Sequence, residues 1–251
     1  MSMPPATSSL TGVLSAPNSA SHSTLNSAHW PVPMAVHRLQ GAAAVNEVLA
    51  RIFSVMRATD VAQHPERAGS FYASADDLLQ RVDVPEFHTL VKFIAQSLQA
   101  TAKQANAGVW PSGRHGLQLE LVGLWFQIQN GAAFHDVHTH GNCSWSGVYY
   151  VQIDPVAERQ HEPQWGALNG ATRFYSPHFP LLGGAYMDMG NAFMQNATLD
   201  VTPQEGELVL FPAFLPHKAL PYVGTKDRIV VSFNAQIRAP QGDQIYRYAA
   251  A

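Results

Sequence analysis

Hydrophobic positions recur at helical spacing in two stretches of the first half of the chain. Over about 43–58 the apolar residues follow steps of three and four, and the same spacing returns over about 85–105, with Pro85 near the start. One apolar stripe per helix is typical of helices that pack on a core, and proline is favoured in a first turn. Between the two stretches, Ser74-Ala-Asp-Asp77 has the form of a capping box that opens a short helix. The pattern predicts a helical layer that packs on one face of a sheet.

The pattern changes near residue 117. From there on the apolar segments are short, rich in β-branched and aromatic residues, and separated by Gly, Pro and Asn clusters. The predicted strands are 117–129, 146–153, 172–175, 207–211 and 228–237. Many short strands with such turns are typical of a sandwich, jelly roll or barrel. We therefore expect an α+β fold in which N-terminal helices back a jelly roll.

The two ends of the chain differ in composition from its centre. Residues 1–28 are mostly Ser, Ala, Thr, Pro and Asn, a mixture that buries too little apolar surface to offset the entropy of ordering. We predict a disordered tail there, a first edge strand near Trp30-Pro31-Val32-Pro33, and a C-terminal tail at 239–251. A single jelly-roll domain is expected over 29–238, with helices at about 43–105 and a β-core at about 117–237.

Composition excludes several classes of protein. Charged residues make up only 13% of the 251 positions, and the formal net charge is −3 without a basic run, so a nucleic-acid partner is not expected. No apolar run approaches the ~18 residues of a membrane span, and the first residues lack a secretion signal. The single cysteine, Cys143, fits a reducing compartment. A cytoplasmic protein is the expectation.

Three histidines carry the candidate chemistry. His138 and His140 precede the apolar strand Ser-Gly-Val-Tyr-Tyr-Val, and His217 follows Phe-Pro-Ala-Phe-Leu-Pro. Alternate residues of a strand point to the same side, so His138 and His140 can converge on one ion, and a partner strand can bring His217. Neutral imidazoles suit a divalent transition metal, and three ligands leave room for substrate and dioxygen or water.

Asp136 offers an alternative carboxylate ligand. It shares the parity of His138 and His140, but strand residues i and i+4 lie about 13 Å apart, so all three cannot bind one ion without a bulge. The site is therefore either Asp136 with His138, or His138 with His140, each completed by His217. His135 has the opposite parity and is expected outside the metal shell.

Arg228 opens the strand Arg-Ile-Val-Val-Ser-Phe-Asn, eleven residues after His217. A guanidinium can donate two parallel hydrogen bonds to a carboxylate, so Arg228 is the candidate clamp for the far end of a small keto-acid. Its alternative is an outward salt bridge. Other candidates for cosubstrate contact are Gln127, Gln129, Asn142 and Tyr150. Asn234 is expected to pack or turn, and Cys143 to fill core rather than bind metal, since a thiolate near dioxygen invites oxidation.

The motif spacing resembles the cupin superfamily. Gly131 precedes His138-Thr-His140, and Gly206, Pro212 and His217 keep the steps of a second cupin motif. Two departures are Phe214, which replaces a glycine, and Ser144-Trp145, where a glutamate ligand is expected. The resemblance supports a jelly roll and does not support a four-ligand cupin metal site.

A closer resemblance covers about residues 30–236. The chain resembles an uncharacterised family of 2-oxoglutarate/Fe(II) oxygenases in three segments: His-Thr-His-Gly-Asn-Cys-Ser-Trp-Ser-Gly-Val-Tyr-Tyr-Val, Gly-Glu-Leu-Val-Leu-Phe-Pro-Ala-Phe-Leu-Pro-His, and Arg-Ile-Val-Val-Ser-Phe-Asn. This resemblance implies a double-stranded β-helix, Fe(II), 2-oxoglutarate and dioxygen, with His138, His140 and His217 at the metal and Arg228 at the cosubstrate. His140 stands where most of the wider superfamily has Asp or Glu, and Val230 where a serine often assists.

The function predicted from these features is a non-haem Fe(II)/2-oxoglutarate-dependent dioxygenase that hydroxylates a small molecule. The alternatives are a three-histidine cupin-type dioxygenase or isomerase without a keto-acid, and a non-catalytic jelly roll that binds a small molecule. Phe134, Trp145 and the 183–194 segment, within a predicted lid at 156–206, are expected to form a partly apolar lining. A homodimer is the default oligomer.

Overall fold

The structure is a computed structural model that describes residues 32–107, 109–110, 117–178 and 196–238. All of these except Val32 belong to one compact unit that begins at Pro33. Both predicted tails, Trp30-Pro31 and the 183–194 part of the predicted lid lie outside the described residues. The domain boundaries at 29 and 238 therefore stay predictions.

The predicted helical layer is present. Helix α1 spans Ala42–Gln63 and α3 spans Pro85–Ala105, with a 3₁₀ turn at Pro65–Arg67 and a short α2 at Leu78–Arg81 between them. Their apolar stripes are fully buried at Leu49, Phe53, Leu90 and Ile94. Because these faces pack on the sheet, the helical periodicity marks core, as predicted.

The capping box at Ser74 does not form. Helix α2 begins at Leu78 with Asp77 as its N-cap and without a side-chain capping bond. The Ser74 hydroxyl instead accepts a hydrogen bond from the backbone N–H of Phe126, 3.1 Å away, and donates to the Ala75 carbonyl. A tertiary contact with the neighbouring strand thus takes the hydroxyl that local capping would have used.

The strands form two antiparallel sheets. In chain order they are β1 Ala35–Arg38, β2 Phe71–Ala73, β3 Gln118–Gln129, β4 Ala133–His138, β5 Trp145–Gln152, β6 Thr172–Tyr175, β7 Thr198–Val201, β8 Glu207–Pro212, β9 His217–Tyr222 and β10 Arg228–Arg238. The large sheet has the order β1-β8-β5-β10-β3-β2 and the small sheet β4-β9-β6-β7. Helix α4 (Val156–Arg159) and a 3₁₀ turn (Gly166–Leu168) precede β6. The first described strand thus begins at Ala35, and Val32 and Pro33 lie before it outside any strand.

From β3 onwards the chain crosses between the sheets in the order of a double-stranded β-helix. Strands β3, β5, β8 and β10 enter the large sheet, and β4, β6, β7 and β9 form the small one. The predicted fold, a jelly roll with a helical layer on one sheet, is confirmed. None of the described helices is both long and apolar enough to cross a membrane.

Side chains that alternate along the strands give the large sheet two faces with different surroundings. The Tyr149 hydroxyl donates to the Asn46 side chain of α1, whereas the next hydroxyl, that of Tyr150, bonds Thr172 of the small sheet. One face therefore packs under the helices and the other faces the interior of the roll. Trp145 has the parity of Tyr149 and lies in the core beneath the helices, so its predicted place in a substrate lining is wrong.

Gly147 in β5 permits the close approach on the helical face. A Cβ atom at this position would lie 2.6 Å from the Phe233 ring of β10 and 2.9 Å from Leu210 of β8. A side chain there would push apart the three central strands of the large sheet. Two of them, β5 and β10, also carry interior residues described below.

Candidate metal and cosubstrate site

The three predicted histidines meet at one point inside the roll. His138, His140 and His217 each offer a ring nitrogen, and these nitrogens all lie within 4.8 Å of one another. The Nε2 atoms of His140 and His217 are 3.4 Å apart. We refer to these residues as the triad. Three nitrogens at such spacing can share one cation.

The strands bring the triad together, but not by simple alternation. His138 ends β4 and is the register partner of His217, which begins β9. His140 lies beyond the end of β4, where its backbone N–H donates to the Ala213 carbonyl. The loop that follows β8 thus fixes the position of His140. The argument from i, i+2 spacing had assumed instead that β4 continues through His140.

Backbone carbonyls orient two of the rings. The Nδ1 atom of His138 lies 2.7 Å from the Asp136 carbonyl oxygen, and that of His217 lies 2.9 Å from the Leu215 carbonyl oxygen. A carbonyl only accepts, so each Nδ1 carries the proton and each Nε2 keeps a free lone pair. Such carbonyl contacts are the usual support of metal-binding histidines.

Burial keeps two of these imidazoles neutral. Together with the neighbouring histidines, burial lowers the pKa of His217 to about 3 and the pKa of His140 to about 4. Only 4% of the His217 surface is exposed. At neutral pH His140 and His217 therefore offer lone pairs rather than charge, which is the state in which histidine binds metal.

The alternative carboxylate ligand is turned away. Asp136 is exposed, and its Oδ1 atom accepts the N–H of Val137 at 2.7 Å. Asp136 is not part of the nitrogen cluster, and neither is Cys143, whose sulphur lies 3.9 Å from the Ser146 hydroxyl. Among the described residues, the geometry favours the three-histidine alternative.

The triad lines a cleft between the two sheets. The lining consists of aromatic, polar and small residues: Trp125, Gln127, His135, Gly147, Val148, Thr172, Ala219, Arg228 and Ser232, in addition to the triad. None of these lining residues is acidic. The cleft can therefore accept a negatively charged ligand without like-charge repulsion.

Arg228 supplies a fixed positive charge at this cleft. Its side chain is buried, with 2% exposed, and its Nη1 donates to Gln129 Oε1 at 2.9 Å. The guanidinium carbon lies 5.1 Å from the centre of the Tyr150 ring, and the buried Nε has no hydrogen-bond partner among the described residues. A buried charge is costly unless it is paired. This guanidinium suits the carboxylate of a bound ligand.

The other predicted contacts divide into two groups. Gln127 lines the cleft, and Gln129 supports Arg228 from the neighbouring strand. Tyr150 supports Arg228 with its ring, while its hydroxyl is 2.7 Å from Thr172 Oγ1. Asn142 lies in a turn at φ +56°, outside the cleft lining, and its carbonyl accepts from Gln236. A cosubstrate contact from Asn142 stays a prediction without support from its position.

The Phe134 side chain does not line the cleft, although it was predicted to lie in a substrate lining. Phe134 is 53% exposed, and the Lys218 ammonium lies 5.7 Å from its ring centre. Phe134 on β4 and Lys218 on β9 both point away from the interior of the roll.

Asn234 has the packing role that was expected. Its Oδ1 accepts a hydrogen bond of 2.8 Å from the Ser146 hydroxyl.

Among the lining residues that were not predicted as contacts, three carry a hydroxyl or an imidazole group. Ser232 shares the parity of Arg228 on β10, so alternation counted from Arg228 would have found it. Thr172 lies in a short strand, and the sequence does not show which strands pair with it or which face it presents to the cleft. His135 was placed outside the metal shell by parity. It is outside the nitrogen cluster but lines the cleft, because β4 changes register between His135 and His138.

Comparison with one solved structure shows the fold, and two others are similar at lower TM-scores. The epimerase SnoN in complex with Fe³⁺, alpha ketoglutarate and nogalamycin RO aligns at a TM-score of 0.50 with 16% identity, over 82% of this chain and 79% of SnoN. HygX from Streptomyces hygroscopicus, with nickel and 2-oxoglutarate bound, aligns at 0.49 with 12% identity over 82% of both chains. A Pseudomonas putida prolyl-4-hydroxylase aligns at 0.44 with 16% identity, over 81% of this chain and 92% of the hydroxylase.

Sequence comparison finds a similarity to one family in the β-core. No curated protein matches the chain. Residues 123–234 match the family model described as "Putative 2OG-Fe(II) oxygenase". This segment contains the triad and Arg228, and it spans the strands from β3 to β10. The match covers less than half of the 251 residues, and it shows that the β-core of this chain is similar to that family.

Proposed function

We propose that this protein is a non-haem Fe(II)/2-oxoglutarate-dependent dioxygenase that hydroxylates a small molecule. The observation that carries the proposal is the placement of three imidazoles on a single cleft with one buried guanidinium, whose Nε has no hydrogen-bond partner among the described residues. When bound, Fe(II) would supply the activation of dioxygen, with oxidation of 2-oxoglutarate to succinate and CO₂ and insertion of one oxygen atom into a substrate C–H bond.

The triad would hold the metal through the free Nε2 atoms of His138 and His217 and a ring nitrogen of His140. Three protein ligands leave positions for a bidentate keto-acid and for dioxygen. The carbonyls of Asp136 and Leu215 keep two of the rings aligned. The residues present therefore fit a divalent iron site that lacks a protein carboxylate.

Arg228 would bind the distal carboxylate of the keto-acid. Its Nε is unpartnered, and Gln129 and Tyr150 fix the guanidinium plane. Because the described cleft lining has no acidic side chain, a divalent metal and Arg228 together would leave a positive excess. A dianionic cosubstrate offsets that excess, which a neutral substrate alone would not.

The family and the fold support this assignment. The family model is named for both cofactors, and SnoN, which shares the fold, contains Fe³⁺ and alpha ketoglutarate. SnoN is an epimerase, so the same fold also serves outcomes other than hydroxylation. Hydroxylation is therefore our proposal for the outcome at this site. A small molecule is our proposal for the substrate.

The test begins without oxygen. Titration of the Fe(II) protein with 2-oxoglutarate under anaerobic conditions should produce a weak visible charge-transfer band that saturates at one equivalent. Admission of oxygen with candidate substrates should then release succinate in step with product. Bound iron without a band would contradict the cosubstrate assignment. It would favour the three-histidine metalloenzyme without a keto-acid, for which Arg228→Gln should leave activity intact.

A further inference from the structure

The interior of the roll is arranged in three tiers, which the strand registers define. The upper tier contains the triad, with His138 paired to His217, and it faces Trp125, whose ring centre lies 6.1 Å from that of His140. The lower tier contains Ala133, whose carbonyl accepts from Gln129, the residue paired with Arg228. The metal end and the guanidinium end of the cleft therefore belong to different tiers.

His135 occupies the tier between them. In the small sheet it is the register partner of Ala219, which is in turn paired with Thr172. Thr172 bonds Tyr150 across the roll, and Tyr150 pairs with Val230 next to Gln127. The Arg228 guanidinium rests on the Tyr150 ring of this same tier. His135 thus faces the space between the triad and the guanidinium.

The His135 ring makes no hydrogen bond within the described part of the chain. It packs against the rings of His138 and Phe71. Its centre is 4.1 Å from that of His138 and 5.6 Å from that of Phe71. A half-buried imidazole that lines a cleft retains one N–H donor and one acceptor. Nothing among the described residues uses either, so both are available to a ligand.

We infer that His135 is a binding residue for the keto-acid cosubstrate, and that it donates a hydrogen bond to the ligand between the metal and Arg228. The inference rests on the proposed function, since it requires a ligand that spans both ends of the cleft. A carboxylate or keto oxygen of such a ligand must pass the middle tier. There, a neutral N–H donor adds an interaction without adding charge beside the metal.

The test measures binding rather than turnover. The probe is 2-oxoglutarate, titrated by calorimetry into protein loaded with Mn(II), and the Mn(II) affinity is measured separately. We expect His135→Leu to weaken 2-oxoglutarate binding by about tenfold or more, the loss of one hydrogen bond to a charged group. Its Mn(II) affinity should stay within about threefold of the wild type, because the triad is unchanged.

Two variants separate a specific contact from a structural effect. His135→Gln retains an N–H donor and should recover most of the lost affinity. Phe134→Leu alters the adjacent, outward-facing position of β4 and should bind 2-oxoglutarate as the wild type does. The inference is overturned if His135→Leu binds 2-oxoglutarate within twofold of the wild type, or if His135→Gln is as weak as His135→Leu.

The failure of this inference differs from the failure of the proposed function. If the wild-type Mn(II) protein does not bind 2-oxoglutarate at all, both are rejected. If the wild type binds and the His135 variants bind equally well, only the role of His135 is rejected.

Discussion

The Nε2 atoms of His140 and His217 lie 3.4 Å apart, although 77 positions separate them along the chain. Their rings are nearly parallel, with an interplanar angle of 9°. Two unprotonated nitrogens at this distance repel each other unless a proton or a cation lies between them. The fold therefore holds a preformed arrangement that a metal ion would stabilise.

Removal of one triad member should abolish metal binding without unfolding the protein. For His217→Gln we expect Mn(II) or Fe(II) affinity to fall by more than about a hundredfold, since even loss of a supporting partner costs about 10–100-fold. Calorimetric titration of the metal checks this. His161→Gln, on the segment between α4 and β6, is the matched control and should bind metal normally. Equal affinity in wild type and His217→Gln would reject the metal site.

Arg228 should affect binding far more than stability. In Arg228→Met, 2-oxoglutarate affinity should fall by about 2–5 kcal/mol, because a buried charge-assisted contact is lost. The free energy of unfolding of the ligand-free protein should change by less than about 2 kcal/mol, since removal of an unpaired buried charge offsets the loss of the donor to the buried Gln129 Oε1. Urea denaturation and ligand titration measure the two quantities. A large loss of stability would mean that Arg228 is structural.

The metal-free protein should lose stability as the pH falls below neutral. Burial lowers the pKa of His217 to about 3 and that of His140 to about 4, against 6.5 in an exposed histidine. Between pH 6.5 and about 4 the unfolded chain therefore binds more protons than the folded chain, and the free energy of unfolding must decrease with falling pH.

Denaturation midpoints of the metal-free protein between pH 7 and 4.5 test this dependence. The slope should be smaller in His217→Gln, which lacks one of the buried histidines. An identical slope in the variant would show that His217 contributes nothing to the dependence on pH.

The tyrosine beneath the helices should matter for stability alone. Tyr149→Phe leaves the buried Oδ1 of Asn46 without its donor, so we expect a loss of about 1–3 kcal/mol in the free energy of unfolding. Metal and 2-oxoglutarate affinities should not change, because Tyr149 faces away from the cleft. Tyr175→Phe, at a half-buried position on β6, is the control for tyrosine substitution. A change in metal affinity in Tyr149→Phe would show coupling between the two faces of the large sheet.

Local periodicity and spacing in the sequence determined the helices, most of the strands and the identity of the candidate ligands. The spacing of apolar residues such as Leu90 and Ile94 predicts a helix, because a helix and a strand impose different repeats on apolar positions. The motif spacing likewise pointed to His138, His217 and Arg228 and left Asp136 and His140 as alternatives. It also left Arg228 between a clamp for a keto-acid and an outward salt bridge, and the structure buries Arg228 at the cleft.

Only the tertiary structure decided which donors face the cleft. A register change in β4 turns His135 inward, and the loop after β8 holds His140 beyond the strand end. The Ser74 hydroxyl contacts Phe126 instead of capping a helix, and Trp145 packs under the helices. Each of these outcomes depends on pairing between distant segments. A bulge or a long-range hydrogen bond changes the direction of a side chain without changing the residues around it.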